Sequence, residues 1–210
     1  DRHALGCFFE KRLVMPEAEK NYLAAIEILD RSVDVKGELI EWENEMRGSF
    51  VNGLGEFYLR QGKVDLAEPL LRQACDLRSS RFPANHPIMS ASYDALGRLE
   101  IAKGNLAEAS SLLKRAHKIR LRYCKANLSD LADTYKSMAM LKQLQGEVAE
   151  AEQLLRQALT AKEKVFGACH PDVAEVLEAL SQLLAHLGLR ADEGALLSER
   201  ARAIRNFYIK

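Results

Sequence analysis

The chain writes one helix three times: GKVDLAEPLLRQAC from Gly62, GNLAEASSLLKRAH from Gly104 and GEVAEAEQLLRQAL from Gly146, 42 residues apart each time. No other feature restricts the fold so tightly. Ala67, Ala109 and Ala151 keep the same spacing, as do Ala74, Ala116 and Ala158. Leu54-Gly55, Leu96-Gly97 and Met138-Ala139 fall in step upstream. A fixed period in this range is the mark of stacked like units, each burying its apolar face against its neighbours.

Each unit reads as two helices, A then B. Helix A carries a large residue followed by a tiny one, as in Leu96-Gly97. Gly104 then breaks the chain, because glycine accepts the positive φ a tight helix exit requires. Helix B carries Ala109 and Ala116, seven residues apart and so on one face. The small residues let two helix backbones approach, with Leu112 and Leu113 filling the space beside them. His86-Pro87 and His170-Pro171 lie two periods apart, and each proline reads as the start of the next helix A, where its missing N–H costs nothing. The middle unit has Leu128-Ser129 there, which predicts Ser129 as an N-cap.

This pattern of Leu-Gly, a later small residue and Ala beyond it resembles the tetratricopeptide signature, in three consecutive units. The period of 42 exceeds the usual length of about 34 residues. The extra length falls in DLRSSRFPANHP and AKEKVFGACHP, which predicts longer B helices and exit loops. A unit of 42 residues ending in such a His-Pro turn is similar to the kinesin light chain type of tetratricopeptide repeat, with GACHPDVAEVLEAL as the nearest stretch. The likeness spans roughly residues 48 to 190. It implies an all-α, right-handed superhelical α-solenoid of about five helix pairs.

Two flanking units deviate. Leu5-Gly6, Ala18 and Ala25 keep the internal spacing, but Gly6 and Gly55 stand 49 residues apart. The surplus lies in SVDVKGELIEWENEMRG, which holds the only tryptophan, Trp42. At the other end Gly188 keeps register, and helix B then slips by one residue to place Gly194 and Ala201. The expected boundaries are a degenerate unit at 1–34, an inserted or extended helical segment at 35–47, units at 48–86, 87–128 and 129–170, and a degenerate capping unit at 171–210. The chain begins mid-pattern and so reads as a fragment of a longer protein.

Composition excludes several classes. Lys plus Arg is 30 and Asp plus Glu is 30, so no net field draws in nucleic acid or an anionic membrane. No apolar run approaches the roughly 18 residues of a bilayer span. DRHALGCFFEKRLV is charged and interrupted, unlike a secretion signal. Cys7, Cys75, Cys124 and Cys169 form no C-x-x-C pair, which predicts reduced thiols and a cytoplasmic protein rather than a disulfide framework or zinc site. Cys169-His170 is the place to look for a reactive thiol. No phosphate-binding, dinucleotide, zinc-protease or serine-nucleophile motif occurs, and the five histidines lie in different units. Neither enzyme activity, cofactor nor metal is expected. The carboxylates, such as Glu150 and Glu152, sit at helical surface spacing. The run KRAHKIRLRYCK, Lys114 to Lys125, is the strongest charge bias, with Ala116, Ile119 and Leu121 read as core positions within it. A nucleic-acid role is disfavoured, because only Tyr123 offers an aromatic platform.

The resemblance implies a concave groove lined by the A helices, where a peptide or partner helix docks. Counting from each Leu-Gly, the groove positions are Asn52, Glu56, Leu59 and Arg60; Asp94, Arg98 and Ile101; Lys136, Met140 and Gln143; and Glu178, Gln182 and His186. Arg60, Arg98 and Lys136 would clamp acidic groups, with Leu59, Ile101 and Met140 as apolar contacts. Kinesin light chain units carry paired asparagines before Leu-Ala of helix A; only Asn52 matches. The carboxylate clamp of chaperone-binding relatives is also absent, its places holding Asn52, Asp94, Asp133 and Ser137.

The expected function is therefore a non-enzymatic scaffold or adaptor that binds a protein or peptide bearing acidic residues. Arg98→Glu with Lys136→Glu is expected to weaken that binding and leave the helices intact. Two other readings are an architectural subunit that self-associates and a nucleic-acid-binding regulator acting through residues 114–125.

Overall fold

The repeated glycines end helices in the same way each time. Gly62, Gly104 and Gly146 have φ of 72°, 82° and 79°. The Gly62 N–H donates to the Leu59 carbonyl (3.0 Å) and the Lys63 N–H to the Tyr58 carbonyl (3.0 Å). The same two bonds recur at Gly104-Asn105, onto Ile101 and Glu100, and at Gly146-Glu147, onto Gln143 and Lys142. This is the left-handed exit that satisfies the last carbonyls of a helix and reverses the chain at once.

The computed structural model describes residues 15–31, 41–123, 128–187 and 190–209. Among them are nine α-helices and no strand. They are α1 (Met15–Arg31), α2 (Glu41–Arg60), α3 (Val64–Ser79), α4 (Met89–Ala102) and α5 (Leu106–Arg122), then α6 (Leu128–Leu144), α7 (Val148–Phe166), α8 (Pro171–Leu187) and α9 (Ala191–Ile209). Even-numbered helices are A helices and α3, α5, α7 and α9 are B helices. Leu5-Gly6, His3, Cys7, Cys124 and Gly188 fall outside the described residues, as do the side chains of Trp42 and His186. The surplus before Gly55 enters the description at Glu41, where it lengthens α2 to 20 residues.

The chain forms two compact units, Asp1–Leu112 and Leu113–Lys210, dividing within α5. In the first, α1 packs on α2, α2 on α3 and α3 on α4. Its core joins Tyr22 of α1, Leu54 and Phe57 of α2, Ala67 and Leu71 of α3, and Ala95 and Leu99 of α4. In the second, α6 packs on α7, α7 on α8 and α8 on α9. Ala139, Ala151, Leu155 and Leu183 form one cluster there, and Ala174, Leu177 and Ala201 another. Each fully buried leucine contributes roughly 1.5–3 kcal/mol relative to an exposed one. The repeated alanines are the contact points: Ala67, Ala74, Ala109, Ala116, Ala151 and Ala158 all have no exposed surface. Gly194 and Ala201 are buried as well, so the slip by one residue keeps a small side chain against α8.

The His-Pro turns have their own chemistry. The His86 ring stacks on Phe82 at 4.5 Å, and the His170 ring on Phe166 at 4.3 Å. In each case Nδ1 accepts an N–H from the start of the next A helix, Ile88 at 3.3 Å and Asp172 at 3.2 Å. The imidazole thus acts as a cap, taking a donor that the helix itself leaves unpaired. Pro171 is the first residue of α8, whereas Pro87 lies just before α4 begins at Met89. Ser129 does not cap: it is the second residue of α6, and its hydroxyl accepts from Lys162.

Candidate partner-binding face

In the first unit the A-helix positions form a closed charge network. Glu56 of α2 takes the Asn52 amide on Oε1 (2.7 Å) and the Arg98 guanidinium on Oε2 (2.8 Å). Arg98 also meets Asp94 (3.3 Å), and Arg60 stands 3.6 Å from Glu56. Burial would push the Glu56 carboxyl up; the Arg98 and Arg60 charges and the Asn52 amide outweigh it and hold the group at about 2. Because its amide nitrogen is turned to Glu56, the Asn52 Oδ1 is left buried and, among the described residues, without a hydrogen-bond partner. Asn52 and Asp94 are both buried.

These contacts change the role expected for Arg98. It is not a clamp waiting for a ligand; it already serves two carboxylates. Arg98→Glu would set three carboxylates together and so would test the fold rather than the binding. Ile101, expected as an apolar contact for a partner, is only 4% exposed and belongs to the core. Leu59 is half-buried and packs against the core of this unit.

In the second unit the corresponding face is open. On α6, Met140 is 49% and Leu144 is 55% exposed, one helical turn apart. Gln143 and Gln182 are exposed beside them in the sequence register. Lys136 reaches Glu175 of α8 at 2.8 Å, with both side chains at least one-third exposed. An exposed pair of this kind is worth about 0–1 kcal/mol, so an incoming carboxylate can replace Glu175 at little cost. Glu178, also counted to the face, is taken by Arg205 of α9 through two bonds of 2.5 and 2.6 Å.

That last pair belongs to a row of cations absent from the expectations above. Arg78, Arg120 and Lys162 stand 42 residues apart on α3, α5 and α7, and Arg205 follows in step with the slip of the last unit. Each reaches from a B helix onto neighbouring A helices. Arg78 donates to Ser92 (2.7 Å) and Ser49 (3.4 Å); Arg120 donates to the Asp130 carbonyl (2.7 Å) and to Thr134 (2.5 Å), one period after Ser92. Lys162 is clasped by Ser129 (2.9 Å), Asp133 (2.8 Å) and Asp172 (3.5 Å). The signal that marks the row is its spacing alone, because each member sits among residues of surface type.

The row's members differ in what they neutralise. Burial pushes the Arg78 guanidinium below its ordinary value, and its hydrogen-bonded partners are neutral serines. Lys162 instead balances two aspartates. Lys162→Met is therefore expected to lower stability by about 1–2 kcal/mol, because it takes the shared buried cation from Asp133 and Asp172. Arg78→Met is expected to be close to neutral, since an apolar stem replaces a desolvated charge. Urea unfolding of both variants checks the contrast; equal losses would refute the distinction.

The basic run lies on α5. Ala116 and Ile119 are buried in it as expected, but Leu121 is 51% exposed rather than in the core. His117 is half-buried against the Tyr135 ring at 5.5 Å, and burial lowers its pKa. Cys169 is exposed. Among the described residues no group of three or more His, Cys, Asp or Glu is placed to hold a metal. No helix among them is long and apolar enough to cross a membrane.

Paired helices on a common period, closed by glycine exits and seamed with alanine, define an all-α helical repeat protein. Residues 46–122 and 130–206 match the family model described as tetratricopeptide repeat, and the chain belongs to that family. No curated protein sequence matches it. Among solved structures, BtubC (BKLC) from P. vanneervenii is 20% identical with a TM-score of 0.67, covering 91% of this chain and 74% of that one. A thermophilic TPR protein of Thermus thermophilus, TTC0263, is 22% identical with a TM-score of 0.61, covering 99% and 95%. The nearly identical TPR-like repeats from Podosopora anserina, described as of a kinesin light chain, are 23% identical with a TM-score of 0.57, covering 97% and 93%. These likenesses concern the fold, and they agree with repeats of the kinesin light chain type.

Proposed function

We propose that the chain is a non-catalytic scaffold that holds a segment of a partner protein on the A-helix face of its second unit. Tetratricopeptide arrays are generally protein-interaction modules. The observation that carries the choice of face is the pair Met140 and Leu144, half-exposed and adjacent on α6 beside a replaceable ion pair. Apolar side chains of the partner cover that pair, and an acidic group takes Lys136 from Glu175. The first unit's charged groups are already paired with one another, so that face adds shape and fixed polarity rather than a free cation.

Met140→Asp with Lys136→Glu tests this reading. Both positions are at the surface, so helical circular dichroism should be unchanged. Crosslinked capture from an extract of the source cell, compared with the unaltered chain, should lose its specific partners by about tenfold or more, or roughly 1.4 kcal/mol. Undiminished capture by the double variant would overturn the assignment to this face.

A further inference from the structure

The second unit has another open surface, on its B-helix side. Between α7 and α9 the helices are tied: Arg156 meets Glu193 at 2.6 Å, Arg200 meets Glu163 at 2.6 Å, and Leu159 and Leu197 pack on the same core clusters. One period earlier on α5, the places of Arg156, Leu159 and Glu163 hold Lys114, His117 and Leu121. Lys114 is exposed, and Leu121 leaves half of its surface in water. Glu150 of α7 is held by Lys142 at 2.9 Å.

Beside this stretch lies a cavity of about 490 Å³. Leu128, Leu131 and Tyr135 of α6 form its apolar floor, and Gln157, Thr160 and Lys164 of α7 stand on its wall. His117 rests on the same Tyr135. Among the described residues Lys114, Lys118 and Lys164 make no ion pair. Lys114 and Lys118 are one turn apart on α5, a spacing that meets two carboxylates one turn apart on another helix.

We propose that this groove is a docking site for an acidic segment of a partner protein. Its apolar side chains sit over Leu131 and Tyr135, and Lys114, Lys118 and Lys164 meet its carboxylates. The charge complementarity is local, in a chain of zero net charge: Lys164 lines the apolar floor, Lys114 and Lys118 lie on α5 close in sequence to His117, whose ring meets Tyr135 of that floor, and among the described residues none of the three makes an ion pair. A protein segment fits better than a nucleic acid. The floor is largely aliphatic, the wall carries amide and hydroxyl groups, and a row of stacking aromatics is missing among the residues lining the cavity. The site is distinct from the A-helix face and does not depend on it.

The test uses fluorescence anisotropy with the full chain and three labelled probes. They are an amphipathic peptide of glutamate, leucine and alanine, its counterpart with lysine for glutamate, and a mixed-sequence single-stranded oligodeoxynucleotide. The acidic peptide should bind and the basic one should not. Lys114→Glu with Lys164→Glu should weaken binding about tenfold, and Gln157→Trp, which fills the cavity from an exposed position, should do the same. Arg202→Glu, at an exposed cation on α9 that belongs to neither face, should leave this binding unchanged. Circular dichroism confirms that each variant is folded. No binding of the acidic peptide, undiminished binding by both groove variants, or salt-sensitive binding of the oligonucleotide in the peptide's place would overturn the proposal.

Discussion

Gly55→Val is expected to destabilise the first unit by on the order of 3 kcal/mol. A Cβ at this position would lie 2.7 Å from Leu71 Cδ2 and 2.8 Å from Leu71 Cγ, with Leu70 Cβ at 3.3 Å. Leu71 has no exposed surface and cannot swing away without opening the core. The substitution also places a β-branched residue within α2, which adds strain at χ1. Gly48 on the same helix provides the control. Its Cβ would make ordinary contact, 3.5 Å from Arg78 Cγ. Gly48→Ala should therefore gain up to about 1 kcal/mol from helix propensity alone. Thermal melting followed by circular dichroism reads both. Similar melting curves for Gly55→Val and Gly48→Ala would mean that the close α2–α3 seam does not carry the stability assigned to it.

The contrast between these two glycines shows what a sequence can reveal. Period and residue size are enough to locate the α2–α3 seam, because a small residue repeated at a fixed step has few other uses. The helix exits at Gly62, Gly104 and Gly146 are legible for the same reason. Direction is harder. Counting from Leu-Gly places Ile101 on the partner face, yet α4 is covered so fully that Asp94, Glu100 and Ile101 are all buried. The same count on α6 gives Met140, which is exposed. Helix position sets where a side chain leaves the backbone; the neighbouring helices decide whether water reaches it. Leu121 departs in the opposite sense: its apolar character points to the core, but it borders the open side of α5. Glu178 is not free because its partner, Arg205, lies on the helix whose register slips by one. The row Arg78, Arg120 and Lys162 is present in the numbering, but a cation on a helix has many uses. Its recurrence therefore says less than that of a glycine or an alanine.

Glu56→Gln is expected to remove on the order of 2–3 kcal/mol at neutral pH, and to do so in a pH-dependent way. The carboxyl is held at about 2, against an ordinary value of 4.5. A depressed folded-state pKa means that the folded chain holds the charged form more strongly than the unfolded chain does. Its stabilisation is thus complete above about 4.5 and is lost as the pH falls toward 2. Some of the full linkage value is discounted because 23% of the Glu56 side chain remains in water. Glutamine keeps the shape but cannot neutralise Arg98, which then has only Asp94 as its carboxylate among the contacts described above. Urea unfolding at a series of pH values should show the unaltered chain losing its advantage over Glu56→Gln between about 4.5 and 2. Above that window the two curves should run parallel and apart. A difference that stays constant down to the lower limit would show that the Glu56 charge is not what joins α2 to α4. In that case the first unit's A-helix face would be held by packing alone, and its network would be free to rearrange around a partner.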